Sequence, residues 1–209
     1  MIDLAADEAF RAQESRMRLR HRRQLLWALV GVCVVASGLI WALWVVPVSQ
    51  SVAAARPTPL GQTMELPAEG VTGVWASGTA ALLGLVECRA ETADGSSLRT
   101  WSAPSPGWED TLWWMTPRTG FSPARSIADA GGAAASVTCS SQLDAYDGQF
   151  LLAGDVTAAG GGVGLGRMGN IDYPTGTLLA LGAVGLPLFA FLMTIVLLVQ
   201  GLRTRLSGR

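Results

Sequence analysis

Cys88 and Cys139 carry the most definite chemistry in this 209-residue chain. Outside a reducing cytoplasm, two such thiols ordinarily oxidise to one bridge. A bridge here would close a loop of about 52 residues and contribute roughly 4 kcal/mol in the chain-entropy picture. The pair lacks the CxxC spacing of redox-active dithiols, so its expected role is structural. The third cysteine, Cys33, lies in an apolar run expected to span the membrane and reads as an apolar filler. Val32 precedes it, where a lipoprotein signal would place a small residue.

Other chemistry-bearing residues are sparse. The only histidine, His21, stands in the basic run Arg18-Leu19-Arg20-His21-Arg22-Arg23. Ser-His-Asp and Cys-His catalysis, and His-based metal sites, therefore have no basis in the middle of the chain. Gly164-Leu165-Gly166-Arg167-Met168-Gly169 matches GxGxxG. That spacing cradles a dinucleotide only between a strand and a helix, and here it lies between further glycines and Asn170-Ile171-Asp172-Tyr173-Pro174. Glu87 with Glu91, and Glu109 with Asp110, are the candidate carboxylate pairs for acid–base work. On a strand, Glu87 and Glu91 share one face, which reads as solvated surface charge. The acids are too scattered for a calcium loop. The expectation is a non-enzyme without metal or cofactor.

Tryptophan is the remaining signal. Trp101, Trp108, Trp113 and Trp114 form the densest aromatic cluster. If Trp113 and Trp114 lie on a strand, they point to opposite faces, one inward and one outward. Core packing explains part of the cluster. Exposed tryptophan also suits a protein partner, a lipid interface or a sugar. Trp108, Trp113 and Trp114 are the candidate partner surface.

Two charge-free runs position everything else. Leu25 to Val46 is 22 residues long and Thr177 to Val199 is 23. At about 1.5 Å per residue the first reaches about 33 Å, enough for a bilayer core of about 30 Å. Such a run exceeds the 7–15 residues of a signal-peptide core, which favours an uncleaved anchor despite Ala53-Ala54-Ala55 beyond it. Trp41 and Trp44 suit an outer aromatic belt, and Pro47 is a natural helix exit. Pro187 should kink the second span. Neither run carries an ionisable residue in its middle, which argues against a self-contained transporter. Gly38/Ala42 and Gly176/Ala180 are small-residue pairs of the kind that let helices approach.

Charge sets the expected topology. All 15 basic residues are Arg, which with abundant Ala and Gly suggests a high-GC bacterial genome. Arg18, Arg20, Arg22 and Arg23 precede the first run, and Arg203 and Arg205 follow the second. Residues 49–176 carry six Arg against twelve acids, a balance near −6. Basic flanks stay cytoplasmic and are also suited to anionic headgroups, so both termini are expected inside a bacterial plasma membrane, with residues 48–176 extracytoplasmic. Nucleic-acid binding is not needed to explain the basic run.

The expected organisation is a basic N-terminal helix at 1–24, transmembrane helix 1 at 25–47, and an extended Pro-rich linker at 48–70 with a possible strand at Gln62–Leu66. An all-β domain follows at 71–154, a Gly-rich tether at 155–176, transmembrane helix 2 at 177–201, and a basic tail at 202–209. Within 71–154, short apolar or alternating runs alternate with turn signals: VTGVWASG, ALLGLVECRAE, SLRTWSA, TLWWM, SPARSIAD, ASVTCSS and QFLLAG. Asp94-Gly95 and Asp147-Gly148 are hairpin-type signals. Six to eight strands at this spacing predict an antiparallel sandwich, Ig-like in general architecture, or a barrel. Ala81 to Val86 reads equally as a short helix.

The segments LVECRAETADG around Cys88 and FSPARSIADAGGAAASVTC ending at Cys139, with the apolar return span, resemble a group of uncharacterised actinobacterial membrane proteins. The resemblance covers roughly residues 25–200. It implies two spans around a small extracytoplasmic disulfide-linked β-sandwich and brings no active-site residues. The expected function is an envelope interaction protein or accessory subunit of a membrane complex, in contact with the lipid bilayer and with other membrane proteins or itself. The alternative is a small-ligand sensing or carrier domain; an extracytoplasmic hydrolase is a distant third.

Overall fold

A computed structural model describes residues 4–67, 70–104, 106–141, 148–157, 162–163 and 173–206, without the side chains of 4–20, 162–163, 173–174, 204 and 205. The GxGxxG run and Asp147 lie outside the described residues. The chain forms two compact units, residues 1–39 with 185–209, and residues 40–184.

The first unit is helical. It holds nearly all of α1 (Leu4–Ile40) and the C-terminal part of α5 (Thr175–Leu206). Val30, Cys33, Ala190 and Leu197 form its small buried cluster. Cys33 is thus a packing residue, as its neighbours suggest. Most other apolar side chains on these helices are bare, including Val32, Val35, Leu188 and Phe191. Among the described residues, two helices are long and apolar enough to cross a membrane.

The second unit is built on antiparallel strands. β1 (Thr58–Pro59), β2 (Thr63–Glu65), β3 (Thr72–Ser77), β4 (Val86–Thr92), β5 (Thr100–Ser102), β6 (Phe121–Ile127), β7 (Ala135–Ser141) and β8 (Gln149–Gly154) make two sheets. One has the order β1-β8-β3-β6-β5, the other β2-β7-β4. A separate ribbon pairs β9 (Gly162–Val163) with β10 (Tyr173–Pro174).

Side-chain alternation explains the layering. Val74 and Ala76 of β3 and Phe150 of β8 face the smaller sheet, sharing a cluster with Val86, Cys88, Ala90, Val137 and Cys139. Trp75 and Leu151, one residue out of step, face the other way. There they meet Trp44, Val45, Val48 and Val52 from the first helical segment and Ala180 and Ala183 from α5. The larger sheet is therefore covered on both faces. That is why VTGVWASG and QFLLAG are nearly continuous apolar runs. In the smaller sheet, β4 alternates buried and exposed, placing Glu87, Arg89 and Glu91 outward. Cys88 and Cys139 are direct cross-strand partners in β4 and β7 and form a disulfide. The bridge lies within one sheet, unlike the inter-sheet bridge of antibody domains.

Four sequence expectations are corrected. Pro47 does not end the first helix: a π turn, Trp41–Val45, leads into α2 (Val46–Ala54). The Val46 N–H bonds to the Trp41 carbonyl, and Pro47 falls in the first turn of α2, where its missing N–H is tolerated. The segment expected as a linker from 48 is consequently helical to Ala54, then supplies β1 to one sheet and β2 to the other. TLWWM is not a strand but the end of α4 (Trp108–Thr111) and a 3-10 turn at Trp113–Met115. The start of the tether is packed: a side chain at Gly176 would stand 2.2 Å from the Val156 carbonyl oxygen. For Ala81 to Val86, the chain takes a short helix, α3 (Thr79–Leu82), before β4 begins.

α5 runs continuously through Pro187. A proline cannot donate to the carbonyl four residues back, here that of Ala183. The Trp41 indole N–H donates to that same carbonyl oxygen at 2.9 Å. In an apolar setting an orphaned carbonyl is costly, so one tryptophan side chain satisfies a backbone acceptor that α5 itself leaves open.

Trp41→Phe should lower stability by about 1–3 kcal/mol, the usual cost of a buried acceptor left unpaired. Pro187→Ala returns a backbone donor to Ala183, so Trp41→Phe should cost much less in that background. Thermal unfolding of the four variants in mild detergent measures the difference; equal costs in both backgrounds would contradict the pairing.

Candidate functional site

The site is the turn that carries the clustered tryptophans and the helix beside it. Gly107 opens α4 because a side chain there would meet the Pro104 carbonyl oxygen at 2.4 Å. The Asp110 carboxylate accepts from the Gly107 N–H at 2.8 Å, and the Thr111 hydroxyl donates to the Gly107 carbonyl at 2.9 Å. These bonds close one helical turn and set the direction of Trp108. Its ring lies edge-on to Trp44 at 5.4 Å and to Trp75 at 5.9 Å. Its indole N–H donates to Thr116 Oγ1 at 3.1 Å.

Trp108 is therefore core, only 1% exposed, and its place in the expected partner surface is corrected. Its partners come from the π turn and from β3, far away in sequence, which is why the local pattern did not reveal its burial. The next turn of chain behaves differently. Trp113 is 69% exposed and Trp114 52%. Trp114 is set against Trp41, with ring centroids 5.5 Å apart and planes tilted by 34°. The structure thus sets Trp41 against Trp114, and Trp113, the residue before it, is the more exposed of the two indoles on this turn. Trp101 stands elsewhere, donating to Thr157 Oγ1 at 3.4 Å.

The turn is fixed to α2 by residues the sequence did not single out. Ser49 Oγ donates to the Met115 carbonyl at 3.1 Å. Arg118 Nη2 donates to the Ala53 carbonyl at 3.2 Å, near the C-terminal end of α2. Ser51 Oγ accepts from the Gly154 N–H at 2.7 Å and donates to the Val48 carbonyl. A side chain at Gly154 would meet Ser51 Oγ at 2.9 Å. Ser126 is buried and donates to Asp155, which also accepts from the Thr157 hydroxyl. Serines with no helical periodicity carry no sequence signal for such docking.

No protein-family model, curated protein or solved structure matches this chain.

The other candidates do not converge with this surface. His21, Arg22, Arg23 and Arg203 are exposed on the helical unit, where the Arg23 guanidinium lies against Gly201. Arg18, Arg20 and Arg205 have no described side chains. Among the described residues, no three His, Cys, Asp or Glu gather as a metal site would require. Of the small-residue pairs, Gly176 and Ala180 are already buried inside the second unit, while Gly38 has open space around it.

One cleft, about 250 Å³, opens to solvent beside α4, with Ser102, Glu109, Ser122 and Arg125 on its walls. Arg125 Nη1 donates to Ser102 Oγ at 2.9 Å. Desolvation and the neighbouring Asp110 charge raise the Glu109 pKa, opposed by a hydrogen bond from Ser122. At Asp94 the sign reverses. Hydrogen bonds from the Thr92 hydroxyl and from Ser96 hold its carboxyl below the ordinary aspartate value. That gives the Asp94-Gly95 turn a stabilisation present above the unfolded pKa and lost as acid protonates Asp94.

A raised carboxyl pKa means that the folded state favours the neutral form, so the charged form weakens folding as pH rises. Glu109→Gln should therefore raise the unfolding temperature at pH 7. The gain should vanish below about pH 4, where glutamate is protonated in the unfolded chain as well. Melting curves at both pH values check this, and a gain independent of pH would contradict it.

Proposed function

We propose that this chain is a non-catalytic integral membrane protein of the bacterial plasma membrane, an envelope interaction protein or accessory subunit of a membrane complex. Both termini are cytoplasmic. Two spans carry a disulfide-linked antiparallel sandwich on the extracytoplasmic side. The contact surface is the turn bearing Trp113 and Trp114.

The observation that carries this reading is that α2 and the first turns of α5 supply one face of the β-domain's core. A core shared with the helices fixes the domain against them. A domain that must hold a surface at a set height above a membrane requires this. Supporting it are bare apolar helices, the positive flanks against an acidic middle, and a disulfide suited to an oxidising compartment. The two sheets around one cluster support the sandwich. The cleft near Glu109 is open to solvent and lined by both polar and apolar groups rather than being an enclosed apolar pocket, so it lends little to the ligand-carrier alternative.

The tagged full-length protein, extracted in mild detergent from its own membranes, should retain a membrane-protein partner in stoichiometric amount by mass spectrometry. Recovery as a solitary chain or a homo-oligomer would overturn the accessory-subunit reading.

A further inference from the structure

We infer that the Trp113–Trp114 turn is a lipid-interface anchor, seated in the outer headgroup layer of the bilayer beside the first helix. This names the partner of the surface described above and rests on the reading that the helices span a membrane.

Depth is the argument. Counted from Leu25, where the charge-free run begins, about 20 residues at about 1.5 Å each span a hydrocarbon core of about 30 Å. That places Trp41 to Trp44 at the outer boundary. The Leu43 side chain, on the same turn as Trp41, is 75% exposed, so apolar surface lies bare at this level. Trp114 packs on Trp41 and so shares its depth. Trp113 precedes it on the same 3-10 turn and is more exposed still.

The chemistry agrees with the depth. Indole has an apolar body and a polar N–H, and tryptophan concentrates where hydrocarbon gives way to headgroups. Two exposed tryptophans on a polar domain are an aggregation hazard in water. At the interface they are matched to their surroundings. The turn cannot drift from that position independently of α2, because Ser49 and Arg118 tie its backbone and flank to the helix. A soluble protein partner fits the same residues less well, since it would have to enter the headgroup layer to reach Trp114.

The test uses nitroxide labels on the full-length chain in a Cys33→Ala background with the Cys88–Cys139 bridge intact. Single labels at Trp113→Cys, Leu43→Cys and Ser97→Cys are compared in nanodiscs of phosphatidylethanolamine and phosphatidylglycerol. The readout is the ratio of collision rates with oxygen and with a water-soluble nickel chelate. The label at 113 should resemble that at 43, with a ratio several-fold above the label at 97. If 113 resembles 97 while 43 remains lipid-like, the spanning helices stand, the anchor is overturned, and the turn is left as a protein-facing surface. If all three resemble water-exposed sites, the spanning reading fails and the anchor fails with it.

Discussion

Trp108 is the wedge on which the second unit depends. It stands edge-on between Trp44, from the π turn of the first helix, and Trp75, from the central strand β3. Three aromatic rings from three elements meet in a geometry that suits their quadrupoles, and each buries a large apolar area. Through this contact the helix, the α4 turn and the larger sheet share one core. The larger sheet would otherwise expose Trp75 and Leu151 on one face.

Two prolines shape how the helices enter that core. Pro47 would crowd the backbone of a regular helix, and the π turn before it admits the proline while keeping the helix going to Ala54. Pro187 leaves the Ala183 carbonyl without its helical donor, and Trp41 supplies one. Both solutions draw on residues 41–45, so the same short stretch accommodates one proline and compensates the other. The Trp44 indole N–H, by contrast, is buried without an acceptor.

The β-domain was legible where a run was bounded by turn residues. ASVTCSS and QFLLAG coincide with β7 and β8, and the Cys88–Cys139 pairing followed from compartment chemistry. The failures share a cause, which is that non-local contacts decided them. A five-residue apolar run such as TLWWM has no period long enough to separate strand from helix. The capping bonds between Gly107 and Asp110, and the distant Trp44 and Trp75, settled it. β1 and β2 are two and three residues long and exist only because β8 and β7 pair with them. The surface site was half legible: the aromatic cluster pointed to it, but only packing separates buried Trp108 from exposed Trp113 and Trp114.

These observations describe a β-domain whose core is completed by the ends of its own apolar helices. Amide hydrogen exchange of the full-length protein in nanodiscs tests this most directly. Residues 46–54 should exchange as slowly as the central strands β3 and β8, because they belong to the same cooperative unit. Rapid exchange across 46–54 while β3 and β8 stay protected would contradict it, leaving a flexible linker between anchor and domain.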